Sequence, residues 1–163
     1  MLIGLLSDTH CRWFEAVPKP VLNAFKNVDL IIHAGDIGDL SYLSGLSEIA
    51  PVEAVAGNND TEVVADILEH HKIITVANKK IGITHGHLGK GVSTPKRAYN
   101  AFAKKGVDII VFGHSHIPYA HQEGDILLIN PGSVSRPRSK DRKPTVALLK
   151  IENDKIEYKH IKL

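Results

Sequence analysis

Cysteine, methionine and tryptophan each occur only once in this chain of 163 residues. A single thiol, Cys11, excludes an internal disulfide framework, argues against a thiolate zinc site, and suits a reducing, cytoplasmic setting. Aromatic residues make up 6% of the chain and the formal charge is +2. Neither an aromatic-rich basic surface nor a strong charge imbalance therefore argues for nucleic acid or an anionic membrane. Long hydrophobic runs are missing too. The apolar start at residues 1–6 meets Ser7 and Asp8 at once, so neither a signal peptide nor a membrane span is expected there. The 43% hydrophobic and 23% charged content is ordinary for a globular chain, and the length suits one domain over residues 1–163. What the sequence does have is histidine: ten in all, eight of them in or beside polar motifs or paired with each other.

Apolar runs without helical period, at residues 2–6, 28–32, 52–56, 80–84 and 107–112, read as buried strands. Each ends in a polar cluster. In order these are Ser7-Asp8-Thr9-His10, His33-Ala34-Gly35-Asp36, Gly57-Asn58-Asn59-Asp60, His85-Gly86-His87 and Gly113-His114-Ser115-His116. Pro18 and Pro20 suit a helix entry before Val21, Leu22 and Phe25. Asp39 suits the cap of a helix carrying Leu40, Leu43, Leu46 and Ile49, which Pro51 stops. Residues 61–71 read as a loop with a short helix, and 72–77 as a strand joined to the next through Asn78-Lys79. Thr94 and Pro95 read as the cap and first turn of a helix with Ala98, Ala101 and Phe102 on its apolar stripe. Strands follow at 117–122, 126–129, 145–151 and 155–161, the last two forming a hairpin at Asn153-Asp154. The early alternation of strand and helix predicts parallel strands with right-handed crossovers. Ligands of open α/β sheets gather beyond the carboxyl ends of strands, so loops sharing one edge would converge their side chains.

Asp8, His10, Asp36, Asn58, His85, His114 and His116 are then the candidate metal ligands. Seven mixed oxygen and nitrogen donors exceed the needs of one ion and suit two ions sharing a bridging carboxylate. Carboxylate, amide and imidazole suit manganese, iron, zinc or nickel. Two such ions roughly 3.5–4 Å apart clamp an in-line displacement, and their charge stabilises a phosphoryl transition state. Metal-assisted phosphoester hydrolysis is the reaction class this chemistry supports.

Taken in order, Asp8-Thr9-His10, Gly35-Asp36-Ile37-Gly38-Asp39, Gly57-Asn58-Asn59-Asp60, His85-Gly86 and Gly113-His114-Ser115-His116 resemble the calcineurin-like metallophosphoesterases. The short length, the segment Ile129-Asn130-Pro131-Gly132-Ser133 and the closing hairpin resemble the family's small phosphodiesterase branch, which also includes the metallophosphoesterase-like subunit of retromer. The resemblance implies an α/β fold, a four-layer αββα sandwich, with two divalent metal ions, manganese first and nickel, zinc or iron(II) as alternatives. Asp8, His10, Asp36 and His116 would hold one ion, and Asp36, Asn58, His85 and His114 the other. Catalysis would rest on Asp36, Asn58, His85 and Asn59, with a metal-bridged hydroxide attacking phosphorus opposite the leaving alkoxide. The expected partner is a small phosphodiester, with no membrane, nucleic acid disfavoured, and a homodimer as the assembly. The alternatives are a non-catalytic protein-binding module on the same fold, a phosphomonoesterase or a nuclease.

Two positions depart from the family pattern. Asn59 stands where many members carry a histidine, and an amide donates a hydrogen bond but no acidic proton. His87 or a metal-bound water is the alternative donor. Cys11 stands where a glycine often follows the first histidine, and reads as packing. Asp39 and Asp60 read as caps or as partners orienting a ligand. His33 reads as structural and His70-His71 as a solvated pair. The basic stretch of Arg136, Arg138, Lys140, Arg142 and Lys143 reads first as a solvated loop, with Arg136 or Arg138 reaching a substrate phosphate as the alternative. Residues 130–133 read as a backbone turn packed near the site.

Overall fold

A computed structural model describes residues 1–11 and 16–163. The first half alternates β1 (Leu2–Leu6), α1 (Lys19–Phe25), β2 (Leu30–His33), α2 (Leu40–Ser47) and β3 (Val52–Ala54). After α3 (Glu62–Ile67) come β4 (His71–Val76), β5 (Lys79–Thr84), α4 (Thr94–Phe102) and β6 (Ile109–Phe112). The chain closes with β7 (Tyr119–Glu123), β8 (Ile126–Asn130), β9 (Thr145–Glu152) and β10 (Lys155–Lys162). Among the described residues these strands form two five-stranded sheets, ordered β10-β9-β1-β2-β3 and β4-β5-β6-β8-β7. The triplets β1-β2-β3 and β5-β6-β8 are parallel, while β9, β10, β4 and β7 pair antiparallel.

The two-residue period of the strands divides the core into layers. Ile3 and Leu5 of β1 and Ile109 and Val111 of β6 meet between the sheets, in the central apolar layer. Leu6 faces outward into a second layer with Phe25 of α1 and Leu46 of α2. Ile110 and Phe112 face Ala98 and Phe102 of α4 in the third. The result is the four-layer αββα sandwich. Each sheet seats its helix with the same device: a side chain at Gly4 would meet the Phe25 ring at 2.9 Å, and one at Gly82 the Phe102 ring at 2.9 Å.

Element ends show where local chemistry wins over an apolar run. β2 starts at Leu30 because the Val28 N–H donates to the Phe25 carbonyl, closing the turn after α1. The Asp29 carboxylate accepts from the Leu2 N–H, pinning that turn to β1. Asp39 caps α2 by accepting from the Ser41 N–H at 2.8 Å. The cap of α4 is Ser93, one residue before the expected Thr94, because Pro95 fits the first turn while the Ser93 hydroxyl accepts from Lys96. The β4–β5 turn falls on Ala77-Asn78, both with positive φ, and Asn153-Asp154 turns the last hairpin in the same way.

Candidate metal centre

Loops from both sheets meet at one edge. Those after β1, β2 and β3 bring Asp8 and His10, Asp36, and Asn58 and Asn59; those after β5 and β6 bring His85, His114 and His116. Within each sheet these strands run parallel, so their carboxyl ends fall at one edge of that sheet. The backbone turns sharply to present these side chains. Asp8, His10, Asp36, His114 and His116 have φ of 53°, 45°, 55°, 67° and 60°, a left-handed conformation that non-glycine residues seldom adopt. Concentrated at one spot, such strain marks a functional site. Backbone bonds zip the first two loops together: Asp8, His10 and Cys11 donate to the carbonyls of Gly35, Asp36 and Ile37.

Asp8, His10, Asp36 and His116 each offer a donor atom, and these atoms lie within 4.8 Å of one another. The Nε2 of His116 lies 3.2 Å from Asp8 Oδ1 and 3.5 Å from His10 Nε2, while His10 Nε2 lies 3.6 Å from Asp36 Oδ2. His85 Nε2 stands 3.3 Å from that same Asp36 oxygen, Oδ2. The His114 ring packs against His85 at 5.1 Å between centroids, and its backbone N–H donates to Asp8 Oδ2. One oxygen of Asp36 thus lies near both His10 and His85.

Two observations test whether these residues fit cations. Asp8 Oδ1 and His85 Nε2 are buried and make no hydrogen bond, although an orphaned polar atom is costly. The histidines are also oriented as ligands usually are. His85 Nδ1 donates to the Ala34 carbonyl at 2.8 Å and His116 Nδ1 to the Arg136 carbonyl at 2.7 Å, leaving each Nε2 turned to the carboxylates. The residues fit divalent metal.

The electrostatics agree. Burial works against charge on His85 and His116, yet His85 is raised by the Asp36 carboxylate beside it and the Asp8 charge, and His116 by the Asp8 carboxylate at 3.2 Å. Burial alone would raise Asp36, but His85 and two bonds from Asn59 hold it well below the usual carboxylate range. The site has a negative potential that favours cations. Burial lowers His10 and His114, keeping their lone pairs free. His87 is pushed down to about 4 by burial and by neighbouring His85, His70 and His114.

The carboxylates are held from behind. The single proton of Ser7 Oγ is shared between Asp8 Oδ2 at 2.7 Å and the Gly132 carbonyl at 2.8 Å. Asn59 donates twice to Asp36, from its backbone N–H at 2.8 Å and its side chain at 2.7 Å. Asn58 stands exposed at the same turn and makes none of these bonds. Asp60 orients the loops, accepting from the Gly38 and Gly57 N–H groups at 2.8 and 2.7 Å. A side chain at Gly57 would collide with the Asp36 carboxylate. Behind the site, the residue 130–133 turn is fixed by Asn130, which donates to the Gly113 carbonyl and accepts from Gly132.

The remaining histidines divide. His33 is fully buried, 2.9 Å from the Thr9 hydroxyl, and burial lowers it to about 4; it is structural. Of the expected solvated pair, His70 is exposed but His71 is not fully so. His71 is half-buried in β4 with its ring edge-on to Phe102, and His70 packs against His87. Sequence reasoning passed over Ser7 and the Arg136 carbonyl, and only the serine offered a signal, by directly preceding the first aspartate.

The chain belongs to the calcineurin-like phosphoesterase superfamily, whose domain signature matches residues 1–154. It is 40% identical over 164 residues to a probable metallophosphoesterase of Methanocaldococcus jannaschii, covering 99% of this chain and 81% of that protein. It is 29% identical over 180 residues to a phosphodiesterase of the same organism, covering 100% and 99% of the two chains. In fold it is similar to the zinc complex of Vps29 from Entamoeba histolytica, with a TM-score of 0.78, 22% identity and 99% of each chain covered.

Proposed function

We propose that this chain hydrolyses phosphodiesters at a dinuclear metal centre, with manganese as the preferred ion and the cytoplasm as its setting. The supporting observation is the position of Asp36: its Oδ2 lies 3.6 Å from His10 and 3.3 Å from His85, within reach of donors from both sheets. Asp8, His10, Asp36 and His116 would hold one ion, and Asp36, His85, His114 and Asn58 a second. Bound there, the ions would supply Lewis acidity to water and to the phosphoryl oxygens. The phosphodiesterase among the relatives supports a diester substrate.

The chain's own residues divide the rest of the task. Ser7 and Asn59 lock the two carboxylates in place, and the Ala34 and Arg136 carbonyls lock two imidazoles. Such outer partners are worth about 10–100-fold in metal affinity or activity. With its amide engaged on Asp36, Asn59 serves the carboxylate rather than the leaving group. Without an acidic proton from this position, esters with good leaving groups are favoured.

The test is hydrolysis of bis(p-nitrophenyl) phosphate and of the p-nitrophenyl monoester by stripped protein. Manganese, nickel, zinc and magnesium are restored separately, with Asp36→Asn as control. Metal-dependent diester cleavage that vanishes in the variant is expected. Faster monoester cleavage would make the protein a phosphatase, and no turnover by folded, metal-bound protein would favour a binding module.

A further inference from the structure

Beside His10 and Asn59 a cleft of about 740 Å³ opens from the metal-ligand cluster, within the usual size range of small-molecule sites. One wall is apolar, formed by Leu40 at the start of α2, Val63 on α3 and Cys11. Val63 is 62% exposed although it is a branched apolar residue next to a polar centre. Arg136 lines the cleft from the opposite loop. That loop is anchored, because the Arg136 carbonyl accepts from His116 and its N–H donates to Ser133. The side chain itself makes no ion pair or hydrogen bond among the described residues, and its charge is felt at His10. A free guanidinium beside a phosphoester centre is suited to a phosphate oxygen.

Asp39 also borders the cleft. Its bond from Ser41 holds the carboxyl below its ordinary value, so it carries a negative charge at neutral pH. That charge disfavours a second phosphate in the cleft and hence a polyphosphate or nucleic-acid strand.

Resting on the phosphodiesterase reading above, we propose that the substrate is a monoanionic phosphodiester with an apolar, aryl-sized ester group. The Leu40–Val63–Cys11 wall takes that group and Arg136 takes the phosphate charge. Leu40 and Val63 set specificity without touching the reacting atoms.

Binding of diphenylphosphinate and dimethylphosphinate to the manganese-loaded chain tests this by calorimetry. Both probes are monoanions with no ester bond to cleave, so binding is read apart from turnover. Burying the rings is expected to favour diphenylphosphinate by about tenfold or more. Val63→Asn, at an exposed position, should remove most of that preference, as should Leu40→Asn, while Arg136→Gln should weaken both probes by about tenfold. Equal binding of the two probes, or a preference surviving both wall variants, would overturn the proposal. A chain that shows the preference yet cleaves no diester would keep the subsite and lose the phosphodiesterase reading. One that cleaves diesters without the preference would do the reverse.

Discussion

The two sheets are built alike but contribute unlike chemistry. Each has a parallel core, a helix seated on a glycine, and loops at the carboxyl ends of its strands. The first supplies both carboxylates, Asp8 and Asp36, with His10 and the asparagine turn; the second supplies His85, His114 and His116 and no carboxylate. Neither half alone makes a balanced cation site. The centre is therefore a property of the packed sandwich, and the central layer from Ile3 to Ile151 is what brings acid and imidazole together.

The largest effect on this comparison should come from Asp36, where the donors of the two sheets meet. Asp36→Asn is expected to lower metal-dependent diester hydrolysis by roughly three orders of magnitude, the scale of a lost electrostatic contact to the reacting centre. Turnover of bis(p-nitrophenyl) phosphate checks it. Next come the matched packing cuts. Phe25→Ala on the first sheet and Phe102→Ala on the second should each cost about 3–5 kcal/mol, read from urea unfolding. A large loss on one sheet only would break the structural half of the comparison.

Smaller effects sharpen the first sheet's role. Asn59→Leu removes the side-chain bond to Asp36 and should weaken manganese binding by about 10–100-fold in calorimetry. Asp60→Ala orphans the Gly38 and Gly57 N–H groups and should cost about 1–3 kcal/mol in thermal unfolding. The gentlest effect is a pH slope. Burial lowers His33 from 6.5 to about 4 in the folded chain. Below pH 6.5 the unfolded form takes up the proton first, so stability should fall as pH drops from 6.5 toward 4. Urea midpoints across that window should decline less in His33→Gln.

Much of this was legible in the sequence because buried parallel strands leave continuous apolar runs, and a polar cluster ending each run stands out. Asp8, Asp36 and the histidine pairs could be found that way, and the hairpin at Asn153-Asp154 from its turn residues. Strand starts were not, because Val28 is apolar and buried whether it lies in a strand or closes a helix turn. Nor could the sequence show that Asn59, placed by its likeness at a leaving-group position, serves Asp36 instead. Asn58 and Asn59 are identical residues, and only the backbone path after β3 decides which amide reaches Asp36. The Arg136 carbonyl, a backbone group, has no sequence signature at all. His71 looked solvated because its burial comes from Phe102, on an element 31 positions away in sequence.

The most direct measurement counts metal. Stripped protein dialysed against manganese should bind two ions per chain by elemental analysis, and His85→Ala, a cut on the second sheet alone, should leave one. One ion or none in the intact chain, under conditions where the diester is cleaved, would contradict the claim that the two sheets assemble a shared dinuclear centre.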